Sequence, residues 1–476
     1  MPVSFTKRVS KIIFRLVSNK CFFQNKSNQL AESRVLRLFN PLYHRRADLH
    51  LLMKIAFVYT TSRLFWGYAY QKYAWLRHAE YNVQLGTLLD EPYSFHSGYQ
   101  PVLQRRGHEC MTCFPGIEPL EQAWTRENGR PQLAVPEAWQ VVLEQLIQFQ
   151  PEAVFCSLSN AFDPQFAQAL GSHVRSLRAV IGYAGSFTVD GRRMASFDAV
   201  ITCSQDVQSF LQNQRLRAYY LPHSFDAISV RRLLGDRSDP TVNRIVFSGN
   251  LERRKGVHLE RARLLGEIAE RVPLAIYSPA AERSESKDLL DWAVRGMAAR
   301  SARALLRVPV VKGVAERSFA VRRLSKIHLA NSPFLPAAMR KVLRPPVFGL
   351  DAFRIYRAYT ATLNHSGEYE TAENMRLFEA TGAGACLLTD WKPNLPQYFE
   401  IDREIVTYRS ADECVEKAGW LLDHPAEAAA IGVAAREKCL ANYTFEQRAD
   451  EMIHIMSEVI GDSASRRNRD RAVCEA

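Results

Sequence analysis

The chain has 476 residues, 47% hydrophobic, 11% aromatic and 24% charged, with a net charge of +12. That length is more than one core organises and fits two or three domains, while the composition excludes a disordered, collagen-like or disulfide-stapled chain. Residues 1 to 51 carry +8 and residues 292 to 346 carry +11, so the other 370 residues sum to −7; two basic patches on a mildly acidic protein suit nucleic acid, anionic lipid or a phosphorylated substrate.

The first segment, "MPVSFTKRVSKIIFRLVSNK", sets Val9, Ile12, Ile13, Leu16 and Val17 at helical spacing, with Lys7, Arg8, Lys11 and Arg15 on the other side. Arg15 splits the apolar run and no small-residue cleavage site follows, so it does not read as a secretory signal. Residues 1 to 52 read either as a basic amphipathic extension lying on an anionic membrane or as a dispensable extension ahead of Met53. No run of 18 apolar residues predicts a membrane span. The nine cysteines are scattered apart from Cys110 and Cys113; this pair reads as core thiols of a strand, and the count suits a reducing compartment.

From residue 53, short β-branched runs alternate with amphipathic helices, the grammar of parallel sheets covered by helices. Strands are predicted at 54 to 60, 109 to 114, 153 to 158, 179 to 185, 199 to 204 and 218 to 222. After a polar linker, "GDRSDPTVN", more follow at 244 to 249, 274 to 278, 361 to 365, 385 to 390 and 404 to 408, with a helical end from Asp412 to about Ile460. The expected fold class is α/β: two Rossmann-like doubly wound domains, residues 53 to 235 and 241 to 460, facing a cleft at the carboxyl ends of their strands. Residues 461 to 476 are expected to be a disordered tail. The basic stretch 292 to 346 reads as helical; its cations are not interleaved with aromatics as a single-strand channel requires, so no nucleic acid is expected and a phosphate or lipid surface fits better.

Two stretches could carry chemistry. In "FSGNLERRKGVHLERARLLGEI", a strand ends at Ser248 and Gly249, a loop carries Asn250, Arg253, Arg254, Lys255 and Gly256, and a helix begins. Glycines allow close approach of the backbone and a helix amino terminus attracts anions, so a diphosphate would be well received, though a solvated basic turn has the same composition. In "ENMRLFEATGAGACLLTD", Met375, Phe378 and Gly382 share a stripe expected to pack on the sheet, and Gly382 and Gly384 end the helix. Arg376 and Glu379 are i, i+3 neighbours: either a surface ion pair, or a carboxylate free to accept two adjacent hydroxyls such as a ribose offers.

Residues 361 to 400 and 408 to 448, together with "YQPVLQRRGHEC", "FDAVITCSQDVQSFLQNQRLRAYYLPHSFD" and "IVFSGNLERRKG", resemble glycosyltransferases of the two-Rossmann GT-B architecture. The similarity is to the group-1 and spore-maturation (CgeB-like) types and spans roughly residues 53 to 458. It implies transfer of a sugar from a nucleotide-diphosphate sugar to an acceptor hydroxyl, with a saccharide or lipid-linked acceptor as in polysaccharide assembly. It implies no cofactor and no bound metal, and the chain has no Asp-x-Asp. The family's diphosphate loop matches at Gly249, Lys255 and Gly256, with Asn250 where the family has Arg. Its Glu, seven residues, Glu motif matches at Glu379, with Asn374, Arg376 and Gly382 nearby. The first Glu is absent: Thr371 holds that register, with Glu370 and Glu373 out of it. Catalytic roles are expected for Lys255, Glu379 and His365, and His173 and His223 are candidates for the acceptor base. Rival readings are a nucleotide-sugar epimerase of the same fold and a binding module without catalysis. Expected localisation is cytoplasmic, at the inner membrane face through residues 1 to 52 and 292 to 346.

Overall fold

The computed structural model describes residues 52–93, 98–130, 138–157, 164–186, 194–234, 242–251, 259–325, 334–367, 369–371 and 374–474. The extension at 1 to 51, most of the linker, and Arg253, Arg254, Lys255, Gly256 and Glu373 lie outside the described residues.

Two six-stranded parallel sheets organise the chain. The first holds β1 (Lys54–Val58), β2 (Glu109–Cys113), β3 (Ala153–Cys156), β4 (Ala179–Tyr183), β5 (Ala199–Thr202) and β6 (Ala218–Tyr220) in the order β2-β1-β3-β4-β5-β6. The second holds β7 (Val242–Ser248), β8 (Leu274–Tyr277), β9 (Leu343–Arg344), β10 (Tyr359–Asn364), β11 (Leu387–Asp390) and β12 (Val406–Tyr408) in the order β12-β11-β10-β7-β8-β9. Central strands such as "AVFC" and "AVIT" are buried along their whole length, as strands covered by helices on both faces must be. Eleven strands fall where the sequence predicts them. The two-residue β9 is too short for periodicity to show.

The helices that bear on the site are α1 (Arg63–Lys72), α2 (Gln205–Asn213), α3 (Ala227–Leu234), α4 (Leu259–Ala269), α5 (Glu285–Leu305), α6 (Pro309–Arg317), α7 (Phe319–Ser325), α8 (Gly349–Ala358), α9 (Met375–Ala383), α10 (Ala411–Asp423) and α11 (Phe445–Cys474). Ser204 caps α2 and Ser410 caps α10, each accepting a hydrogen bond from a backbone N–H in the first turn, which satisfies an otherwise orphaned donor. The helix α11 runs through to Cys474 where a disordered tail is expected from residue 461; lengthening a helix already nucleated adds one hydrogen bond per residue without a new nucleus.

The cores do not respect the order of the sequence. Phe445, Ala449, Met452, Ile453, Met456 and Val459 of α11 are buried in the core of the first sheet, although 241 to 460 was expected to form the second domain. Conversely, Phe225 and Val230, from the end of the first half, sit with Phe353, Phe378 and Tyr398 in the core of the second. Each domain buries an apolar stripe from the other half of the chain, and neither stripe could stay in water without cost. The two crossings run side by side: the Phe225 N–H donates to the Tyr443 carbonyl at 2.7 Å.

Candidate functional site

In the second sheet the strand order reverses between β7 and β10, and a crevice opens there at the carboxyl ends. A cavity of about 360 Å³ lies in it. From the second domain it is lined by Ser248 and Gly249 after β7, Asn364 and Ser366 at the end of β10, Arg261 of α4, and Thr371, Asn374 and Arg376 around the start of α9. Across the gap the first domain supplies Tyr183, Cys203, Ser204 and His223, from the ends of its own strands. A second cavity of about 300 Å³ shares Ser248, Gly249, Met375 and Arg376 with the first and extends past Glu379 to Tyr93, Tyr277, Phe348 and Tyr356. Two chambers therefore meet at a neck formed by Gly249 and Arg376.

Local structure fixes the neck. Asn374 caps α9: its Oδ1 accepts from the Leu377 N–H at 3.3 Å, and its Nδ2 donates to Asn364 Oδ1 and Ser366 Oγ at 3.3 Å each. Two residues on, Arg376 donates to Glu379 Oε2 at 2.9 Å and to the Ser248 carbonyl at 3.0 Å, and its guanidinium lies 4.4 Å from the centre of the Tyr356 ring. The two side chains are only 16% and 14% exposed, so this is a cavity-facing pair and not the solvated surface pair that was one reading of the sequence. Burial and the Glu379 charge raise the pKa of Tyr93, which keeps its hydroxyl protonated on the far wall of the second chamber.

The remaining sequence-predicted residues divide. Gly249 and Asn250 line the second chamber; Lys255 and Gly256 lie outside the described residues. Gly382 lines neither chamber. A Cβ there would stand 2.4 Å from the Phe225 ring, so this glycine lets the crossover aromatic pack on α9. Helix α9 ends at Gly384, whose φ of +90° is the left-handed cap that glycine adopts freely. Met375 faces both chambers instead of the sheet.

His365 is separated from Glu379. It lines a third cavity with Asp390, Trp391 and Tyr408, beside α10, because alternate residues of a strand point to opposite faces and Asn364 and Ser366 take the cleft side. Burial lowers its pKa, with Asp390 acting the other way. His173 is on an exposed helix end with Nδ1 2.9 Å from the Ala169 carbonyl, and it lines neither chamber. His223 does line the first chamber, and burial pushes its pKa down to about 4, leaving a neutral imidazole at neutral pH. Burial also pushes the Cys110 thiol up to about 12, as suits a core cysteine.

Three features were missed in the sequence. Arg261 is buried in the wall of the first chamber, its guanidinium donating to the His365 carbonyl at 2.6 Å and the Asn250 carbonyl at 3.4 Å. The available signal was its place on the apolar stripe of α4, four residues before Leu265 and seven before Ile268, where a cation is out of pattern. The loop after β10 is fastened from both domains: Asp390 Oδ1 accepts from the Ser366 N–H at 2.7 Å, while Asp206 Oδ2 of α2 accepts from the N–H groups of Glu370 and Thr371 and the Thr371 hydroxyl, each at 3.0 Å. Beside the second chamber, next to its lining residues Pro92 and Gly349, lies a partly buried cluster. Glu91 accepts from Lys72 at 2.7 Å and from the Leu350 N–H at 2.9 Å, and Lys72 also pairs with Asp351 at 2.8 Å. Gly349, at φ +57°, makes room for it, since a Cβ would meet Glu91 Oε2 at 2.1 Å. The contacts of Asp206 with Thr371, of Glu91 with Leu350 and of Lys72 with Asp351 join residues more than 160 positions apart, which no local pattern reveals.

The chambers offer one guanidinium at the neck and another in the wall of the first chamber, amide and hydroxyl groups on that side, and a carboxylate among aromatic rings on the other. That set suits an anion between a polyhydroxylated group and an aromatic nucleoside.

Comparison with known proteins gives the following. Residues 317–454 match a family model described as "Glycosyl transferase-like". That is under a third of the chain and includes α9. Among curated proteins none matches. Among solved structures, the chain is similar to AviGT4, a glycosyltransferase involved in avilamycin A biosynthesis (13% identity, 86% of this chain and 98% of that one, TM-score 0.46). It is also similar to a glycosyltransferase from Rickettsia africae (10% identity, 86% and 99%, TM-score 0.47) and to Anabaena HepE in complex with UDP and glucose (12% identity, 85% and 99%, TM-score 0.44).

Proposed function

We propose that the protein transfers a sugar from a nucleotide-diphosphate sugar to an acceptor hydroxyl, of a saccharide or a lipid-linked saccharide. The observation that carries this reading is the neck: Gly249 and Arg376 stand between a chamber bearing Glu379 among aromatic rings and a chamber lined by Asn364, Ser366, Thr371 and Asn374. The nucleoside would occupy the former, with Glu379 accepting from the ribose hydroxyls in place of its bond from Arg376. The released guanidinium would then face the diphosphate, and the sugar would lie in the latter chamber. The family-model match over residues 317–454 supports the same reading.

In the reaction the bond between the anomeric carbon and the diphosphate oxygen breaks and the acceptor oxygen takes its place. Negative charge grows on the leaving diphosphate, and preorganised donors and cations aimed at that charge lower the barrier. Arg376 is a built candidate, Lys255 belongs in sequence to the loop of Gly249 and Asn250, and Asn250 does not supply the charge that an Arg would. The acceptor would enter against the first domain, near His223 and Ser204.

An epimerase would need acids on both walls of the cleft. Among the described residues lining the first chamber, those from the first domain include no acid, which favours transfer. The test is product analysis of uridine, guanosine and adenosine diphosphate sugars incubated with the protein, with and without saccharide acceptors. Transfer releases nucleoside diphosphate at a rate that depends on acceptor. An altered sugar without an acceptor would support the epimerase instead, and binding without any turnover the inert module.

A further inference from the structure

Between β8 and β9 the second domain extends a helical arm made of α5, α6 and α7. It leaves the sheet after β8 and returns at β9, and Pro279 and Pro346, which flank these two strands, both line the chamber assigned to the nucleoside. One side of the arm is internally packed: Ala299 and Ala302 of α5 are buried, and α5 packs against α7. The other side is apolar and open. On α5, Leu290, Val294 and Met297 stand at i, i+4 and i+7 and are all exposed. On α6, Val310 and Val314, at i and i+4, are 91% and 74% exposed. Isolated exposed apolar residues are ordinary, but stripes of them on two successive helices mark a contact surface.

The cations on the same helices say what the contact is. Lys287 and Arg300, both exposed, stand three residues to either side of the α5 stripe, and Arg317 continues the α6 stripe at i+7 from Val310. From Lys287 to Arg323 the sequence has nine Arg or Lys against Asp288, Asp291 and Glu316. A second copy of this surface would bring like charge onto like charge, and so would residues 1 to 51, which carry +8. The occupant with complementary chemistry is apolar beneath and anionic above.

We propose that the arm formed by α5 and α6 docks on an anionic lipid bilayer, its valines, leucine and methionine entering the interface and its Arg and Lys meeting phosphate headgroups. An amphipathic surface with a basic border binds in this way, and attraction to anionic lipid adds to apolar burial. Among the described residues no helix is long and apolar enough to cross a membrane, so the attachment would be to one leaflet. The proposal stands on the arm alone and survives if the assignment of sugar transfer fails. If both hold, docking keeps the mouth of the cleft beside the bilayer, where a lipid-linked acceptor resides.

The test is co-sedimentation of the full chain with vesicles of phosphatidylcholine alone and of phosphatidylcholine mixed with phosphatidylglycerol. Binding is expected to the anionic vesicles, to weaken as salt is raised, and to fall about tenfold in the double variant Val310→Asp, Val314→Asp. Both sites are solvent-exposed, so the variant's melting temperature should equal that of the unaltered protein. A charge variant, Arg300→Glu with Arg317→Glu, should lose the preference for anionic vesicles. Equal binding by the aspartate variant, or loss only when Lys7, Arg8 and Lys11 are changed to Glu, would overturn the proposal. A dimer that the aspartate substitutions dissolve, with no vesicle binding, would overturn it in favour of a second copy.

Discussion

The two walls of the cleft differ in kind. The second domain brings Arg261, Arg376 and Glu379, held by carbonyls, a helix cap and each other, whereas the first contributes Tyr183, Cys203, Ser204 and a His223 that burial keeps neutral. Formal charge is concentrated on one side. A charged donor is best gripped by a preorganised charged wall, and a neutral acceptor is best met by a wall that adds no charge of its own. On the proposed function, the difference would put the donor on the second domain and leave the first for the acceptor.

Removing Arg376 should break that contrast most. Arg376→Ala takes away the cation at the neck and leaves Glu379 partly buried without its partner; truncating one member of such a pair costs about a hundredfold in affinity. Donor titration by calorimetry measures it. The neutral wall is tested by pH. Folded His223 stays neutral down to about 4, whereas an unfolded histidine takes its proton near pH 6.5, so below that value the unfolded state binds more protons and stability falls. The loss should reach about 2 kcal/mol between pH 7 and pH 5. In His223→Gln that histidine's share of the slope should vanish in urea unfolding at the two pH values, with donor affinity kept within about twofold.

Glu379→Ala sharpens the contrast more gently, because the variant loses charged hydrogen bonds to the donor while Arg376 is set free: about a tenfold fall in donor affinity. His365→Gln should do least, with a change in donor affinity below about twofold, since its side chain lines the cavity beside α10 and not the chambers.

The same asymmetry governs what the sequence discloses. Alternation of apolar strands and helices made both sheets legible, and Gly249, Asn374, Arg376 and Glu379, singled out by two strand-loop-helix stretches and by the family resemblance, do line the two chambers. His365 was misjudged by one residue's worth of strand alternation, which turns a side chain from the cleft to the opposite face. Gly382 carried a second explanation, the Phe225 ring, that only the crossover supplies. The first wall was least legible. Tyr183, Cys203 and Ser204 are ordinary strand-end residues, and they become a wall only when α11 returns to the first domain and Asp206 fastens the Thr371 loop across the gap.

The most direct test is calorimetric titration of uridine, guanosine and adenosine diphosphate sugars into the unaltered protein, Glu379→Ala and Arg376→Ala. The account predicts that at least one of these sugars binds, about tenfold more weakly to the first variant and about a hundredfold more weakly to the second. Affinity unchanged in both variants, or no binding of any of the three, would contradict the assignment of the donor to this wall.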